Sequence, residues 1–295
     1  MLPGVRLASA GEEIVVLQTS TLRVLGHRDL ADVLTILGQD PVANAFVAAR
    51  VHAAGLDPWK LGGEMWGHLV GGSLESLCYA GANLVPVQAG PDSVDAFADR
   101  ARRRGRRSSS IVGPRAATER LWDQLEPYWG PARDVRRCQP LLSTSKPPPV
   151  LADPGVRRVA PHEFDAVLPA CIAMFTEEVG VSPVGSDGGT LYRSRVNELI
   201  LAGRSFARFD NGEVVFKAEI GSVTPQACQV QGVWVHPDRR GEGLSVGGMA
   251  AVVAIALADI APVVSLYVND FNAAARAAYR RVGFTEIGTF MSVLF

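Results

Sequence analysis

One stretch constrains this chain more than any other: Gln229 to Gly248, read as QVQGVWVHPDRRGEGLSVGG. Val230, Val233 and Val235 are β-formers set among polar and small neighbours, which predicts a strand. Trp234 alternates with Val233 and Val235, so it is expected on the opposite face of the sheet. His236-Pro237-Asp238 ends the strand, and Arg239-Arg240 lead into Gly241-Glu242-Gly243. From Leu244 the chain turns apolar and Ala-rich, which predicts a helix. Strand, basic glycine loop and helix together form a recipe for holding a phosphate. Glycines let the backbone approach closely, and the first helical N–H groups point at the ligand from the positive end of the helix dipole.

The apolar run continues from Met249 to Val268. A central Asp259 is costly in lipid, and Pro262 divides the run. The pattern predicts a buried helix over Leu244–Ile260 and then a strand over Val263–Val268, with no membrane span. A length of 295 residues suits one large domain or two ordinary ones. The stretch LSTSKPPPVLADPG, with three consecutive prolines, reads as a stiff exposed linker. It divides the chain into residues 1–145, a Pro-rich linker at 146–154, and residues 155–295.

The first part opens on a leader strand or arm over 1–18. Helices are expected at His27–Leu37 and Pro41–Ala54. Two β runs, Gly62–Leu69 and Ser76–Val87, flank Gly71-Gly72 as a hairpin. A helix from Pro91, a short strand at Ser108–Val112, a helix at Ala116–Glu126 and a strand at Val135–Leu142 complete it. The second part starts with a strand at Val156–Ala160 and helices at His162–Glu178 and Thr190–Ala202, around a loop at Val179–Gly189. A hairpin follows, turning at Asp210-Asn211-Gly212. After the opening stretch come a strand, a helix over Asn272–Val282 ended by Gly283, and one or two closing strands. Both parts share the order strand, turn, helix, strand, helix, strand. The corresponding loop of the first part, QAGPDSV, has no basic glycine pair, so a copy there has lost the phosphate cradle.

Arg240-Gly241-Glu242-Gly243-Leu244-Ser245 resembles the acyl-CoA-binding signature of the GCN5-related N-acetyltransferases (GNAT), Arg/Gln-x-x-Gly-x-Gly/Ala. Arg240 and Gly243 match, and Ser245 departs at the final small position. Downstream, LYVNDFNAAARAAYRRVGF is similar to the family's closing segment, with Asn272, Ala275, Tyr279, Gly283 and Phe284 in place. The resemblance covers about Gly155 to Phe295. It implies an α/β (α+β) fold with two GNAT-like domains in tandem, each a mixed, mostly antiparallel sheet flanked by helices, the first degenerate. It also implies acetyl-CoA as cosubstrate, with the pyrophosphate on Arg240, Gly241, Glu242, Gly243, Leu244, Ser245 and Val246. The pantetheine would then run along the main chain of Val233, Trp234 and Val235, with Asn272 and Tyr279 nearby.

Tyr279 is the candidate general acid, since a phenol can give a leaving thiolate its proton; a Tyr that only packs against the cofactor is the alternative. The strand ahead of the loop carries Gln229 and Gln231, neither of which can take a proton. Glu219 on the neighbouring strand and Glu177-Glu178 at a helix end are the substitutes for a base, each otherwise a structural or solvated acid. An amine that arrives neutral needs no base. His236 reads as a solvated turn residue. The Arg100–Arg107 cluster reads as a solvated helix end rather than a nucleic-acid patch, having no interleaved aromatics. Net charge −1 predicts no general attraction to nucleic acid or an anionic membrane. Four scattered cysteines form no zinc or disulfide pattern, and with no signal-peptide core this favours the cytoplasm.

The expected activity is direct acetyl transfer from acetyl-CoA to a primary amine, on a small molecule, peptide or protein, with no metal and a homodimer open. A non-catalytic acyl-CoA sensor is the rival that the missing strand carboxylate motivates. A dinucleotide site is the other, since Gly241-x-Gly243-x-x-x-Gly247 approaches that fingerprint. The acid such a site needs at the end of the next strand is absent, because Asp259 ends a helix.

Overall fold

A computed structural model describes residues 20–185 and 188–295. The expected N-terminal arm and part of the 179–189 loop lie outside the described residues. The first half runs β1 (Ser20–Val24), α1 (Leu30–Leu37), α2 (Ala45–Ala54), α3 (Pro58–Leu61), β2 (Gly63–Val70), β3 (Ser73–Gly81), β4 (Asn83–Val87), α4 (Pro91–Arg104), β5 (Ser110–Pro114), α5 (Arg115–Trp129) and β6 (Asp134–Thr144). The second half runs β7 (Arg157–Arg158), α6 (Phe164–Val179), α7 (Thr190–Leu201), β8 (Ser205–Asp210), β9 (Glu213–Val223), β10 (Cys228–Val235), α8 (Leu244–Asp259), β11 (Val264–Tyr267), α9 (Ala273–Val282) and β12 (Thr285–Leu294).

These strands join one 12-stranded sheet in the order β1-β2-β3-β4-β5-β12-β6-β11-β10-β9-β8-β7. Only β4–β5 and β10–β11 pair in parallel. Counted outward from the middle, each strand of one half meets its counterpart in the other: β6 with β12, β5 with β11, and so on to β1 with β7. The closing strands are exchanged. β12 lies against β5 of the first half, and β6 lies against β11 of the second. The cores follow the exchange. Met291 and Val293 of β12 pack with Phe97 of α4 and Leu121 of α5, while Leu142 of β6 packs with Val252 of α8.

Local chemistry repeats as well. The β2–β3 hairpin turns at Gly71-Gly72 and the β8–β9 hairpin at Asn211-Gly212. All four residues have positive φ, as a two-residue turn matched to strand twist requires. Asp29 takes Arg23 at 2.6 Å and the Gly26 N–H at 2.8 Å. Glu163 takes Arg157 at 2.6 Å and the Ala160 N–H at 2.8 Å, at the same spacing.

In the second half α8 is buried on the sheet with Phe216, Ile220 and Val264, while α6 and α7 cover the other face with Val214 and Trp234. A Cβ on Gly248 would stand 2.7 Å from the Phe216 ring, so glycine there lets α8 close on β9.

Several expectations need correction. Residues 41–44 form a turn whose Ala43 N–H bonds Asp40, and α2 begins only at Ala45. The run Ser76–Val87 breaks into β3 and β4 because Gly81 sits under the Tyr79 hydroxyl, where a Cβ would be 2.3 Å away. The linker is not a free spacer: the Asp153 N–H bonds Gly247 O at 3.0 Å, and its carboxylate takes Arg208 at 2.6 Å.

Candidate functional site

The site grows out of β10. It pairs with β11 only at Cys228 and Gln229, and beyond these residues the two strands diverge. Toward β9 the register slips between Gln231 and Trp234, so Gly232 and Val233 face the single residue Ala218. This is a β-bulge, and Gly232 supports it with φ +59°. His236 N–H bonds Val215 O. In an antiparallel ladder the preceding residue then points its N–H and C=O the other way, so those of Val235 face the gap left by β11. As the alternation predicts, Trp234 packs on the α6 side, and Val233 and Val235 on the α8 side.

The loop that follows is built for an anion. Gly241 and Gly243 hold φ of +87° and +82°, and nothing stands within 4 Å of either would-be Cβ. Gly243 is the N-cap of α8 with no side-chain cap, and Val246 N–H returns to Gly243 O. Among the described residues, the N–H groups of Gly241, Glu242, Gly243, Leu244 and Ser245 have no hydrogen-bond partner, which is the geometry of an anion nest at a helix start. The charged side chains of the loop turn outward or back. Arg239 pairs with Asp210 at 2.7 Å and with Glu242 at 2.9 Å. Arg240 donates to Val235 O at 3.2 Å and to Glu177 at 2.7 Å.

Behind the bulge lies a buried polar cluster. Lys217 Nζ, fully buried on β9, donates to Glu219 Oε1 at 2.5 Å and to Gly232 O at 3.2 Å. Cys171 of α6 donates to the same carboxylate oxygen at 3.5 Å, and Tyr192 of α7 donates to Cys171 O at 2.7 Å. Burial works against the Lys217 ammonium, but the adjoining carboxylate outweighs it and the pKa stands above its usual value. Burial pushes the Cys171 thiol up to about 12, so it stays a neutral thiol. Glu219 is therefore a counter-ion before anything else.

Tyr279, on α9, is buried and packs edge-on to Phe284. Burial, and then the charge of Glu178, hold its phenol above the usual tyrosine value. Glu178 also ends a polar chain that joins the two halves. Ser292 donates to Gln139 at 2.6 Å, and Gln139 to Asn269 at 2.9 Å. Asn269 then donates to Glu178 at 3.3 Å, and Arg136 of β6 donates to the same carboxylate. Asn272, expected to contact cofactor, caps α9 by accepting the Ala275 N–H at 3.1 Å.

Thus all three candidate carboxylates are engaged: Glu219 by Lys217, Glu178 by Arg136, and Glu177 by Arg240 and the Trp234 indole. His236 accepts the Asp238 N–H, a turn role as expected. In the basic cluster Arg104 pairs with Glu64 at 2.8 Å, Arg100 lies over Trp66 and Arg106 over Phe295, so these side chains pack onto the fold instead of standing free. Sequence reasoning missed Gly232, Lys217, Arg136 and Gln139. A glycine inside the strand pattern QGVWV was a readable bulge signal; the others carried none. Among the described residues no group of His, Cys, Asp and Glu could hold a metal ion, and no helix is long and apolar enough to cross a membrane.

A sheet that opens between β10 and β11, next to free N–H groups at a helix start, has a geometry suited to an extended, phosphate-bearing ligand. Residues 180–284 match the acetyltransferase (GNAT) family, and residues 63–167 match a domain of unknown function, DUF4081. Residues 180–284 thus carry a GNAT acetyltransferase domain, and that match supports acyl transfer as its class of chemistry. No curated protein matches the chain.

Among solved structures, a GCN5-related N-acetyltransferase from Sphaerobacter thermophilus is 17% identical with TM-score 0.61, covering 93% of this chain and 94% of its own. A tandem GNAT protein from the clavulanic acid biosynthesis pathway, solved without AcCoA, is 12% identical with TM-score 0.54, covering 93% and 98%. A GNAT-family acetyltransferase from Colwellia psychrerythraea is 13% identical with TM-score 0.52, covering 93% and 99%. At these identities the likeness is one of fold, a mixed α/β architecture with a mostly antiparallel sheet.

Proposed function

We propose that this protein is an N-acetyltransferase that uses acetyl-CoA and transfers its acetyl group to a primary amine, with residues 155–295 as the catalytic domain and residues 1–145 as a degenerate partner. The observation that carries this reading is the continuity of two features: the edge of β10 at Val233–Val235, which β11 leaves without a strand partner, and the free N–H groups of residues 241–245. A pantetheine arm needs main-chain partners along an open strand edge, and a pyrophosphate needs converging N–H donors. Here one follows the other along the chain. Acetyl-CoA supplies the activated acetyl thioester.

The chain's own residues do the rest. Residues 241–245 hold the pyrophosphate. Val233 and Val235 hold the pantetheine arm against β10 and set the thioester at the bulge, where a backbone N–H meets the charge that develops on its oxygen. The amine nitrogen attacks the carbonyl carbon as the C–S bond breaks. Tyr279, kept protonated by its raised pKa, gives its proton to the leaving sulfur. The proton lost from the nitrogen restores the phenol through solvent. With Glu177, Glu178 and Glu219 all engaged, the amine enters as the free base.

That same engagement favours a second reading, an acyl-CoA sensor without turnover. Calorimetry and CoA release with a panel of amines, on wild type and Tyr279→Phe, separate the two. The enzyme reading expects equal acetyl-CoA affinity in both and a loss of about 100-fold or more in kcat for the variant, the usual scale of general-acid catalysis. Binding with no turnover on any amine establishes the sensor; absence of acetyl-CoA binding sinks both.

A further inference from the structure

The geometry points to Lys217 as a positioning residue that polarises the backbone donor of the β10 bulge, with Glu219 as its counter-ion. The inference rests on the acetyl-donor reading above and names a device that the reading does not contain. Lys217 is a fully buried lysine, and its ammonium reaches two acceptors: Glu219 Oε1 at 2.5 Å and the carbonyl of Gly232 at 3.2 Å. The second contact matters because of what lies across that peptide. Gly232 C=O and Val233 N–H belong to one peptide unit, and a trans peptide points them in opposite directions. Val233 has no register partner on β9, because it and Gly232 together oppose the single residue Ala218. A cation on the carbonyl withdraws electron density through the amide and makes the N–H a stronger donor, and low local dielectric enlarges the effect.

Stability alone gives a poor account of this arrangement. Taking an ammonium and a carboxylate out of water costs about as much as their attraction returns, and an apolar pair of similar volume often serves as well. The pair also stands where it constrains the bulge directly. A Cβ on Gly232 would lie 3.2 Å from Glu219 Oε2 and 3.0 Å from the Met174 methyl, so the bulge backbone rests on the charged cluster. The ionisable groups around the ammonium are Glu219 on its own strand, Cys171 of α6 and, beyond it, Tyr192 of α7. The thiol and phenol are held neutral by burial, which leaves one anion to balance one cation.

The test compares wild type with Lys217→Met/Glu219→Gln, which removes the cation together with its counter-ion and leaves no unpaired charge in the core. The direct readout is the infrared carbonyl band of bound, isotopically labelled acetyl-CoA. Wild type is expected to shift the band to lower frequency than free acetyl-CoA, and the double variant to lose most of that shift. Relative to wild type, the double variant is also expected to lose about tenfold in kcat, a fraction of the loss when an oxyanion donor is removed outright. Its acetyl-CoA Kd and thermal midpoint are expected to match. If the double variant keeps the wild-type band, Lys217 only shapes the bulge and the inference falls while the acetyl-donor reading stands. If wild type does not bind acetyl-CoA, that reading falls and this one with it.

Discussion

Gln139 of β6 donates to Asn269 at 2.9 Å, so a residue of the first half is bonded to the chain just beyond β11, beside the diverging strands of the second. The same amide accepts from Ser292 of β12 at 2.6 Å. One buried side chain on an exchanged strand therefore satisfies a group on the other exchanged strand and one on the chain beyond β11. Gln139→Leu leaves the Asn269 carbonyl and the Ser292 hydroxyl without their partner. An unsatisfied buried polar group costs about 1–3 kcal/mol. Urea unfolding should show a drop of that size, and an unchanged midpoint would mean that water replaces the amide freely.

The strand exchange predicts the outcome of cutting the linker. Leu151 is 93% exposed, which makes the 146–154 segment a place to install a protease site. After cleavage, β6 remains between β11 and β12, and β12 remains between β5 and β6. The two fragments should elute together in native size exclusion and separate only in denaturant. Separate elution under native conditions would contradict this sheet order.

Gly243 holds φ +82° in open space. An alanine there meets no neighbour but must adopt a left-handed conformation that costs about 1 kcal/mol. Relief of that strain turns the peptide and misaligns the N–H groups of the nest. Gly243→Ala should keep the thermal midpoint within a few degrees and raise the acetyl-CoA Kd about tenfold, equivalent to about 1.4 kcal/mol. Unchanged affinity in calorimetry would remove the pyrophosphate from this loop.

Acid should weaken the two equivalent caps. The Arg157 guanidinium and the Ala160 N–H hold Glu163 down from its usual 4.5 to about 2. Arg23 and the Gly26 N–H hold Asp29 down from 3.8 to about 2. A carboxylate with a lowered folded pKa contributes stability that is complete above its unfolded value and is lost as pH falls through the folded value. The contribution of these caps should therefore be flat above about pH 5 and should decline from the unfolded values toward pH 2. In urea titrations, Glu163→Gln should flatten that decline; an acid slope equal to wild type would show that other groups govern it.

What the sequence disclosed divides by the range of the chemistry. Arg240 to Ser245 was legible because its glycines, its charge and the helix after it are adjacent. Tyr279 was legible because a helix motif carries it. Lys217 was not, since alternation in VVFKAEI makes it look like part of a polar face turned to water, while α6 and α7 in fact cover that face; Glu219 could therefore be picked out as a carboxylate but not as a counter-ion. The choice among Glu177, Glu178 and Glu219 could not be made because the cations that occupy them come from β6, β9 and the 236–243 loop. Nor could the placing of β6 and β12 be read from their residues. Any apolar closing strand pairs equally well with either half, and only the assembled sheet distinguishes them.

The exchange of β6 and β12 has a further meaning. Two copies of one ancestral subunit that traded their last strands would form a symmetric dimer with this strand order, each copy completing the other. Joining such copies end to end requires only a tether from the end of one to the start of the next, which is the position of residues 146–154. A fused pair of this kind is released from symmetry. One copy can keep the nest and the tyrosine, while the other loses its cradle and survives as scaffold because its last strand, with Arg136 and Gln139, is built into its sister's site.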